Sequence, residues 1–211
     1  MAMASPLRIG IDFDNTLISY DDVFCAAAKR GGLIGADFTG SKQAVRDVIR
    51  LLPDGELAWQ RLQGQVYGKG IGEAKLVAGV SPFLRRARVE GSAVVVVSHK
   101  TEYGHFDPDR VNLRTAALDW MARQGLFGGD YGIARQDVYF ESTRADKLKR
   151  IAALSLTHFI DDLEEVLTDP DFPPRVERIL FADAAPAAAG CHIRCASWRD
   201  IERQVFGGAG R

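Results

Sequence analysis

The run of four valines at Val94–Val97 constrains the fold of this chain more than any other stretch. It lies within SAVVVVSHK, which is almost continuously apolar up to Ser98. A strand with one face in water alternates apolar and polar residues, whereas a parallel strand covered on both faces is apolar throughout. The valine run therefore predicts an interior strand of a parallel sheet.

Strand and helix patterns alternate along the chain around this run. Further strands are predicted at LRIGIDFD, DVYFE, LTHFIDD, RILFAD and around HIRCASW. A helix is predicted at SPFLRRARVEG, where Ser81 would cap the helix and Pro82 would lie in its first turn. A second, amphipathic helix would carry Leu113, Ala117 and Met121 and end near Gly125, and further helices are predicted at RADKLKRIAAL and LEEVLTD. This order predicts an α/β fold with a doubly wound, Rossmann-like parallel sheet.

Residues 19–79 interrupt the alternation with helical periodicity alone. In QAVRDVIRLL and ELAWQRLQGQVYG the apolar residues recur every three to four positions, and no clear strand separates them. We therefore predict an α/β core formed by residues 1–18 and 80–211, with residues 19–79 as an inserted helical region.

Composition excludes several classes of function. Of the 211 residues, 27 are basic and 28 acidic, so the net charge of -1 provides no field for a polyanion, and a nucleic-acid partner is not expected. No apolar stretch is long enough to span a bilayer, and the N-terminal sequence lacks a secretory pattern. We expect a cytoplasmic protein. Its three cysteines should be reduced, and CHIRCASW lacks the second ligand pair of a zinc site.

Polar residues follow the predicted strands where each strand ends. Asp12 and Asp14 end the first strand, Ser98 ends the valine strand, and Asp161 and Asp162 end LTHFIDD. In open α/β sheets, ligands bind outside the carboxyl ends of the strands. Each acid alone fits a structural role, such as a turn or a helix cap, but their convergence on one edge favours a site.

Carboxylates gathered at one edge repel one another unless a cation lies among them. A hard divalent ion with oxygen ligands, most naturally Mg²⁺, would stabilise such a group. Lys147 follows Thr143 and Asp146, which fit the cap and the capping-box position of a helix, so it falls in the first turns, where the helix dipole disfavours a cation. It is either a solvated helix residue or a cation that holds a phosphate in a negatively charged pocket.

The ordered set of these residues resembles the motifs of the haloacid dehalogenase (HAD) superfamily of phosphohydrolases. The segment DFDNTL from Asp12 resembles the first motif, Ser98 the second, Lys147 the third, and the pair Asp161 and Asp162 the fourth. The resemblance covers about residues 7–182. It implies a HAD core, and it implies that the helical region after the first motif is a cap.

The resemblance also implies a mechanism through an aspartyl phosphate. Asp12 would attack phosphorus, and Asp14 would protonate the leaving oxygen and later activate water. Mg²⁺ would be held by the carboxylate of Asp12, the carbonyl of Asp14 and the fourth-motif acids. An acid at Asp14 favours a phosphatase over a dehalogenase, because an alkoxide leaving group needs a proton.

The remaining site residues implied are those that bind phosphate. Ser98 and Lys147 would bind phosphoryl oxygens, and Thr16 would shape the turn and donate hydrogen bonds. Lys100 is the alternative to Lys147, and His99 is a further candidate for the pocket. Either Asp161 or Asp162 is the metal ligand, and alignment with the motif's usual Gly-Asp form favours Asp162.

The sequence thus favours a Mg²⁺-dependent phosphatase that acts on a small phosphorylated metabolite. The alternatives are a phosphomutase of the same superfamily, a noncatalytic HAD-like binding module, and a nucleic-acid end phosphatase, which the balanced charge disfavours. The identity of the substrate and the oligomeric state are not indicated by any pattern in the sequence.

Overall fold

The computed structural model describes residues 6–107, 109–182 and 190–207. The strands are β1 (Arg8–Ile11), β2 (Ile18–Ser19), β3 (Lys75–Leu76), β4 (Ala93–His99), β5 (Val138–Glu141), β6 (His158–Asp161), β7 (Glu177–Phe181) and β8 (Ile193–Cys195). The helices are α1 (Asp21–Arg30), α2 (Lys42–Ile49), α3 (Gly55–Tyr67), α4 (Val80–Val89), α5 (Leu113–Arg123), α6 (Arg144–Ala153), α7 (Glu164–Leu167) and α8 (Trp198–Phe206). None of these helices combines the length and the apolar character needed to cross a bilayer.

The main sheet is parallel and has the strand order β5-β4-β1-β6-β7-β8. The valine strand β4 pairs with β1 and β5, so it is an interior strand as predicted. Val95 and Val97 are fully buried in a cluster that includes Leu148 and Ile151 of α6. The doubly wound α/β fold is confirmed.

The chain divides into two compact units. The core unit consists of Met1–Leu17, Leu76–His99 and Gln124–Arg211, and the helical unit consists of Ile18–Lys75 and Lys100–Arg123. Residues 100–123, which the sequence analysis placed in the core, thus belong to the helical unit. Two turns of 3-10 helix, at Lys69–Glu73 and Arg135–Asp137, complete the described elements.

Two contacts explain why the segment 100–123 belongs to the helical unit. Gly104 packs so closely on Gly64 of α3 that a Cβ atom at position 104 would lie 2.9 Å from the Gly64 Cα. The indole of Trp120 on α5 is fully buried and donates a hydrogen bond to the Ala74 carbonyl at 3.0 Å. Both contacts join residues distant in sequence, which a local pattern does not reveal.

Two local predictions in the core unit were wrong. Helix α4 begins at Val80 after Gly79, whose φ of 91° is accessible to glycine, rather than after Ser81. The Ser81 hydroxyl instead lies 3.0 Å from the Tyr131 hydroxyl. The last strand was expected to extend to Trp198, but that residue begins α8.

Candidate active site

The site is built around Asp12, the first residue after β1. Ile11 of β1 is paired with Ile160 of β6, and the Asp12 amide donates to the Ile160 carbonyl at 2.9 Å. Asp161 therefore lies beside Asp12 at the same height on the neighbouring strand. Asp12 is 5% exposed and Asp161 is 0% exposed, so two carboxylates lie adjacent in a buried position.

Helix α6 brings a lysine to these two acids. The Thr143 hydroxyl caps the helix by accepting a hydrogen bond from the Asp146 amide at 3.1 Å, and it donates to the Asp146 carboxylate at 2.7 Å. The cap fixes the first turn, which carries Lys147. The Lys147 ammonium is buried and donates to Asp12 Oδ1 and to Asp161 Oδ2, both at 2.6 Å.

The loop after β1 contacts the next acid, Asp162. The Asn15 side-chain amide donates to Asp162 Oδ2 at 3.2 Å, and the Thr16 hydroxyl donates to Asp162 Oδ1 at 3.4 Å. Asn15 has a φ of 61°, and this left-handed conformation turns the loop back toward β6. Asp161 Oδ1 in turn accepts a hydrogen bond from the Leu163 amide at 2.9 Å.

Negative charge dominates the electrostatics of this cluster. Burial raises the pKa of Asp12 to about 8; the ammonium of Lys147 opposes this rise, while the charges of Asp161, Asp162 and Asp14 add to it. Burial lowers the pKa of Lys147, but the charges of Asp12 and Asp161 outweigh burial, so its pKa lies above the ordinary lysine value. One ammonium thus faces more than one buried carboxylate.

The carboxylates fit a metal ion in chemistry and in spacing. Asp12, Asp161 and Asp162 each offer an oxygen, and these ligand atoms all lie within 4.8 Å of one another. An all-oxygen, negatively charged set suits a hard divalent cation such as Mg²⁺. Both fourth-motif acids belong to the cluster, although Asp161 also bonds to Lys147 and Asp162 to the loop after β1.

Asp14 and Ser98 follow the same edge of the sheet. Phe13 separates Asp12 from Asp14, and its fully buried ring packs edge to face on Phe140 of β5, with centroids 5.7 Å apart. Asp14 is partly buried, and its charge reaches Asp12, whose pKa it helps to raise. Ser98 is 1% exposed near the carboxyl end of β4 and pairs in register with Phe140.

The last two candidate residues are His99 and Lys100. His99 is exposed, and its Nε2 atom lies 3.0 Å from the Ser142 carbonyl oxygen, at the end of β5. Lys100 belongs to the helical unit, where its ammonium lies 5.2 Å from the centroid of the Tyr67 ring. A bond from Lys147 to Asp12 is observed, at 2.6 Å.

Sequence reasoning missed one residue that contacts the loop after β1. The indole of Trp198 donates a hydrogen bond to the Thr16 carbonyl at 3.1 Å. A local signal was available, because Ser197 and Asp200 have the spacing of a capping box and accordingly bond to each other at the start of α8. The signal was missed because the residues before it were assigned to a strand that was too long.

Comparisons with known proteins identify the fold. No family model and no curated protein sequence matches the chain. Among solved structures, a haloacid dehalogenase-like hydrolase from Streptococcus pneumoniae is 14% identical, with a TM-score of 0.60 over 96% of this chain and 100% of that one. Protein tyrosine kinase A from Mycobacterium tuberculosis is 17% identical, with a TM-score of 0.58 over 97% and 99%.

A third solved structure was obtained with ligands. A HAD family hydrolase from Deinococcus radiodurans, with bound phosphate and sodium, is 14% identical and has a TM-score of 0.54 over 95% of this chain and 96% of that one. The chain therefore has the fold of the haloacid dehalogenase superfamily, which its motifs predicted.

Proposed function

We propose that the protein is a Mg²⁺-dependent phosphatase that hydrolyses a small phosphorylated metabolite through an aspartyl phosphate on Asp12. One observation carries the proposal: Asp12 and Asp161 end adjacent strands, share the Lys147 ammonium at 2.6 Å, and lie with Asp162 in a cluster of carboxylate oxygens. Phosphoryl transfer requires positioning and charge neutralisation, which such a cluster supplies.

The proposed roles are those that the resemblance to the HAD superfamily implies. A carboxylate oxygen of Asp12 forms a bond to phosphorus as the ester P–O bond breaks, and Asp14 donates a proton to the leaving oxygen. Water then attacks the phosphorylated Asp12 while Asp14 accepts its proton, which releases phosphate and restores both carboxyl groups. Splitting the displacement into two steps is the advantage of a carboxylate nucleophile.

The remaining residues bind and orient. Asp12, Asp161 and Asp162 would hold Mg²⁺, which when bound supplies positive charge to the transferring phosphoryl group. Lys147 and Ser98 bind phosphoryl oxygens, and Thr16 holds Asp162 in place. A bound phosphate in the Deinococcus radiodurans relative supports a phosphate ligand for this fold.

The proposal is tested by a phosphate-release screen with Mg²⁺ over sugar phosphates, nucleotides and phosphorylated acids, with a phosphorylated oligonucleotide alongside. We expect release from at least one small metabolite and none without a divalent ion. Because one relative is named a tyrosine kinase, the screen should also follow transfer of phosphate to protein tyrosine. Transfer to tyrosine without release, or transfer of the phosphoryl group from Asp12 to a sugar monophosphate to give a bisphosphorylated sugar, would contradict the phosphatase assignment.

Asp12→Asn supplies the decisive variant. It removes the nucleophile while keeping the shape of the side chain, so turnover should fall by about 10³-fold or more. Asp137→Asn is the matched control, because Asp137 is a partly exposed acid of the core unit that faces Arg8 at 3.7 Å. Wild-type turnover in Asp12→Asn would remove Asp12 from the role of nucleophile.

A further inference from the structure

Trp198, at the start of α8, is surrounded by close contacts. The Ser197 hydroxyl accepts a hydrogen bond from the Asp200 amide at 3.2 Å and donates to the Asp200 carboxylate at 2.6 Å, which fixes the first turn of the helix. The indole is fully buried and packs edge to face on Phe83, with ring centroids 4.9 Å apart. A Cβ atom at Gly79 would lie 2.8 Å from the Trp198 Cβ, so the backbone also closes on this residue.

The indole N–H reaches the loop that carries the candidate nucleophile. It donates to the carbonyl of Thr16 at 3.1 Å, and both residues are fully buried. The hydroxyl of Thr16 points to Asp162 Oδ1 at 3.4 Å. Because one residue carries both groups, an indole that holds the Thr16 carbonyl also limits where its hydroxyl can lie.

The same loop is otherwise closed by its own backbone. The Leu17 amide donates to the Phe13 carbonyl at 3.1 Å, which closes a turn around Asn15, whose φ is 61°. A left-handed residue other than glycine needs such support from its surroundings. The bond from Trp198 adds an anchor from a helix that lies more than 180 residues away in sequence.

We propose that Trp198 is a positioning residue of the active site, which orients Thr16 and, through its hydroxyl, the carboxylate of Asp162. The inference rests on the proposed function only in assigning a divalent cation to the cluster of Asp12, Asp161 and Asp162. Groups that orient metal ligands typically change metal affinity by about 10- to 100-fold when they are removed.

The chain offers a matched pair of variants for the test. Trp198→Phe removes the N–H that contacts Thr16, and Trp120→Phe removes an equivalent N–H in the helical unit, where a fully buried indole donates to the Ala74 carbonyl at 3.0 Å. Both changes should lower the melting temperature to a similar extent, so stability alone does not separate them. Mg²⁺ affinity, measured by calorimetry with the metal alone, does.

We expect Trp198→Phe to raise the Kd for Mg²⁺ by about tenfold, and Trp120→Phe to leave it within about twofold of wild type. In a double-variant cycle with Thr16→Val, the two losses should not add, because both act on the same bond to Asp162. The inference would be overturned by unchanged Mg²⁺ affinity in Trp198→Phe, by equal losses of affinity in both tryptophan variants, or by additive losses of affinity with Thr16→Val. It would also be overturned if the wild-type protein bound no divalent ion.

If Trp198→Phe does not fold, benzothienylalanine at position 198 removes the N–H while keeping the ring shape. The same increase in the Kd for Mg²⁺ is then expected. Failure of the two proposals is distinguishable. A protein that binds Mg²⁺ in a Trp198-dependent way but releases no phosphate would retain the positioning role and lose the proposed function. A protein that releases phosphate but whose Kd for Mg²⁺ is unchanged in Trp198→Phe would retain the proposed function and lose the positioning role.

Discussion

Charged residues lie at both ends of the strands of the parallel sheet, and two groups of them differ in how far they are exposed to solvent. At the carboxyl edge, where the strands end, the side chains of Asp12, Asp161 and Lys147 are 7%, 0% and 2% exposed. Each of the two carboxylates lies 2.6 Å from the Lys147 ammonium. At the amino edge, Arg8 faces Asp137 at 3.7 Å with side chains 38% and 29% exposed. The pair of Arg8 and Asp137 is thus partly exposed to solvent, whereas Asp12, Asp161 and Lys147 are buried.

This difference in exposure distinguishes the proposed active-site cluster from an ordinary ion pair. An exposed pair contributes little to stability and is easily replaced. A buried group of charges is costly to desolvate and is often no more stabilising than apolar residues of the same size. That the chain keeps two buried acids around a buried lysine, within reach of Asp162, is best explained by the chemistry proposed for the cluster.

Lys147→Met tests this comparison with the largest expected effect on stability. The change leaves Asp12 and Asp161 buried without their cation, so the free energy of unfolding in the presence of a chelator should fall by about 3–5 kcal/mol. Arg8→Met, at the amino edge, should cost less than about 1 kcal/mol. Urea titrations of both variants measure the two values, and equal losses would show that burial does not distinguish the edges.

Asp12→Asn should have the opposite effect on stability. Burial raises the pKa of Asp12 to about 8, so the folded protein binds a proton that the unfolded chain releases above its ordinary value of 3.8. Ionisation of Asp12 therefore opposes folding increasingly as the pH rises between these two values. Relative to wild type without metal, the variant should gain more than about 1 kcal/mol between pH 5 and pH 8.

Chemical denaturation across that pH range checks this second prediction. A stability difference between Asp12→Asn and wild type that stays constant with pH would show that Asp12 is ionised throughout. Adding Mg²⁺ should reverse the order of stability, because the ion binds the carboxylate of wild type and not the amide of the variant.

Thr143→Ala sharpens the comparison by loosening the helix that carries Lys147. Loss of the cap should cost about 1 kcal/mol and should also lower phosphate release, because Lys147 lies in the capped turn. Ser41→Ala is the matched control, since the Ser41 hydroxyl caps α2 in the helical unit by accepting from the Ala44 amide at 3.3 Å. A similar stability loss with unchanged turnover is expected there, and equal turnover in the two variants would argue against the role of the cap.

The smallest expected effect belongs to His158, at the amino edge. Burial lowers the pKa of His158, and the charge of Glu177, at 3.8 Å, opposes this shift. The unfolded chain then binds a proton more readily than the folded one, so stability is lost as the pH falls below about 6.5. His158→Gln should reduce this loss of stability by about 1 kcal/mol or less. Above pH 8 the stability of the variant and of wild type should depend on pH in the same way. Parallel plots of stability against pH below pH 6.5 would contradict the prediction.

Much of the core unit was predictable because its signals are local. The valines of β4 indicated an interior strand, and Thr143 and Asp146 indicated the start of α6, so Lys147 could be placed in its first turn. The convergence of Asp12 and Asp161 followed from the rule that parallel strands end at one edge. The strand and helix predictions use residues within a few positions of one another, and the convergence adds only the rule for parallel strands.

The failures arose where the deciding contact is distant in sequence or where one local signal was extended too far. No residue near Lys100 in sequence indicates that Gly104 packs on Gly64. The sequence analysis therefore placed the segment 100–123 in the core, whereas it belongs to the helical unit. In contrast, α8 has an evident apolar face, with Trp198, Ile201 and Val205 all buried. Helix α8 was not predicted because the predicted strand before it was extended to Trp198, the first residue of the helix.

The two-segment construction of the helical unit limits how it can be transplanted. A graft of residues 18–75 alone would carry the stacked rings of Phe24 and Trp59, 4.9 Å apart, but would lack α5 and its buried Trp120. The Ala74 carbonyl would then lose its indole donor, and the surface beneath α5 would be uncovered. Chimeras between this protein and others of the same fold should therefore exchange both segments together, since neither is a module by itself.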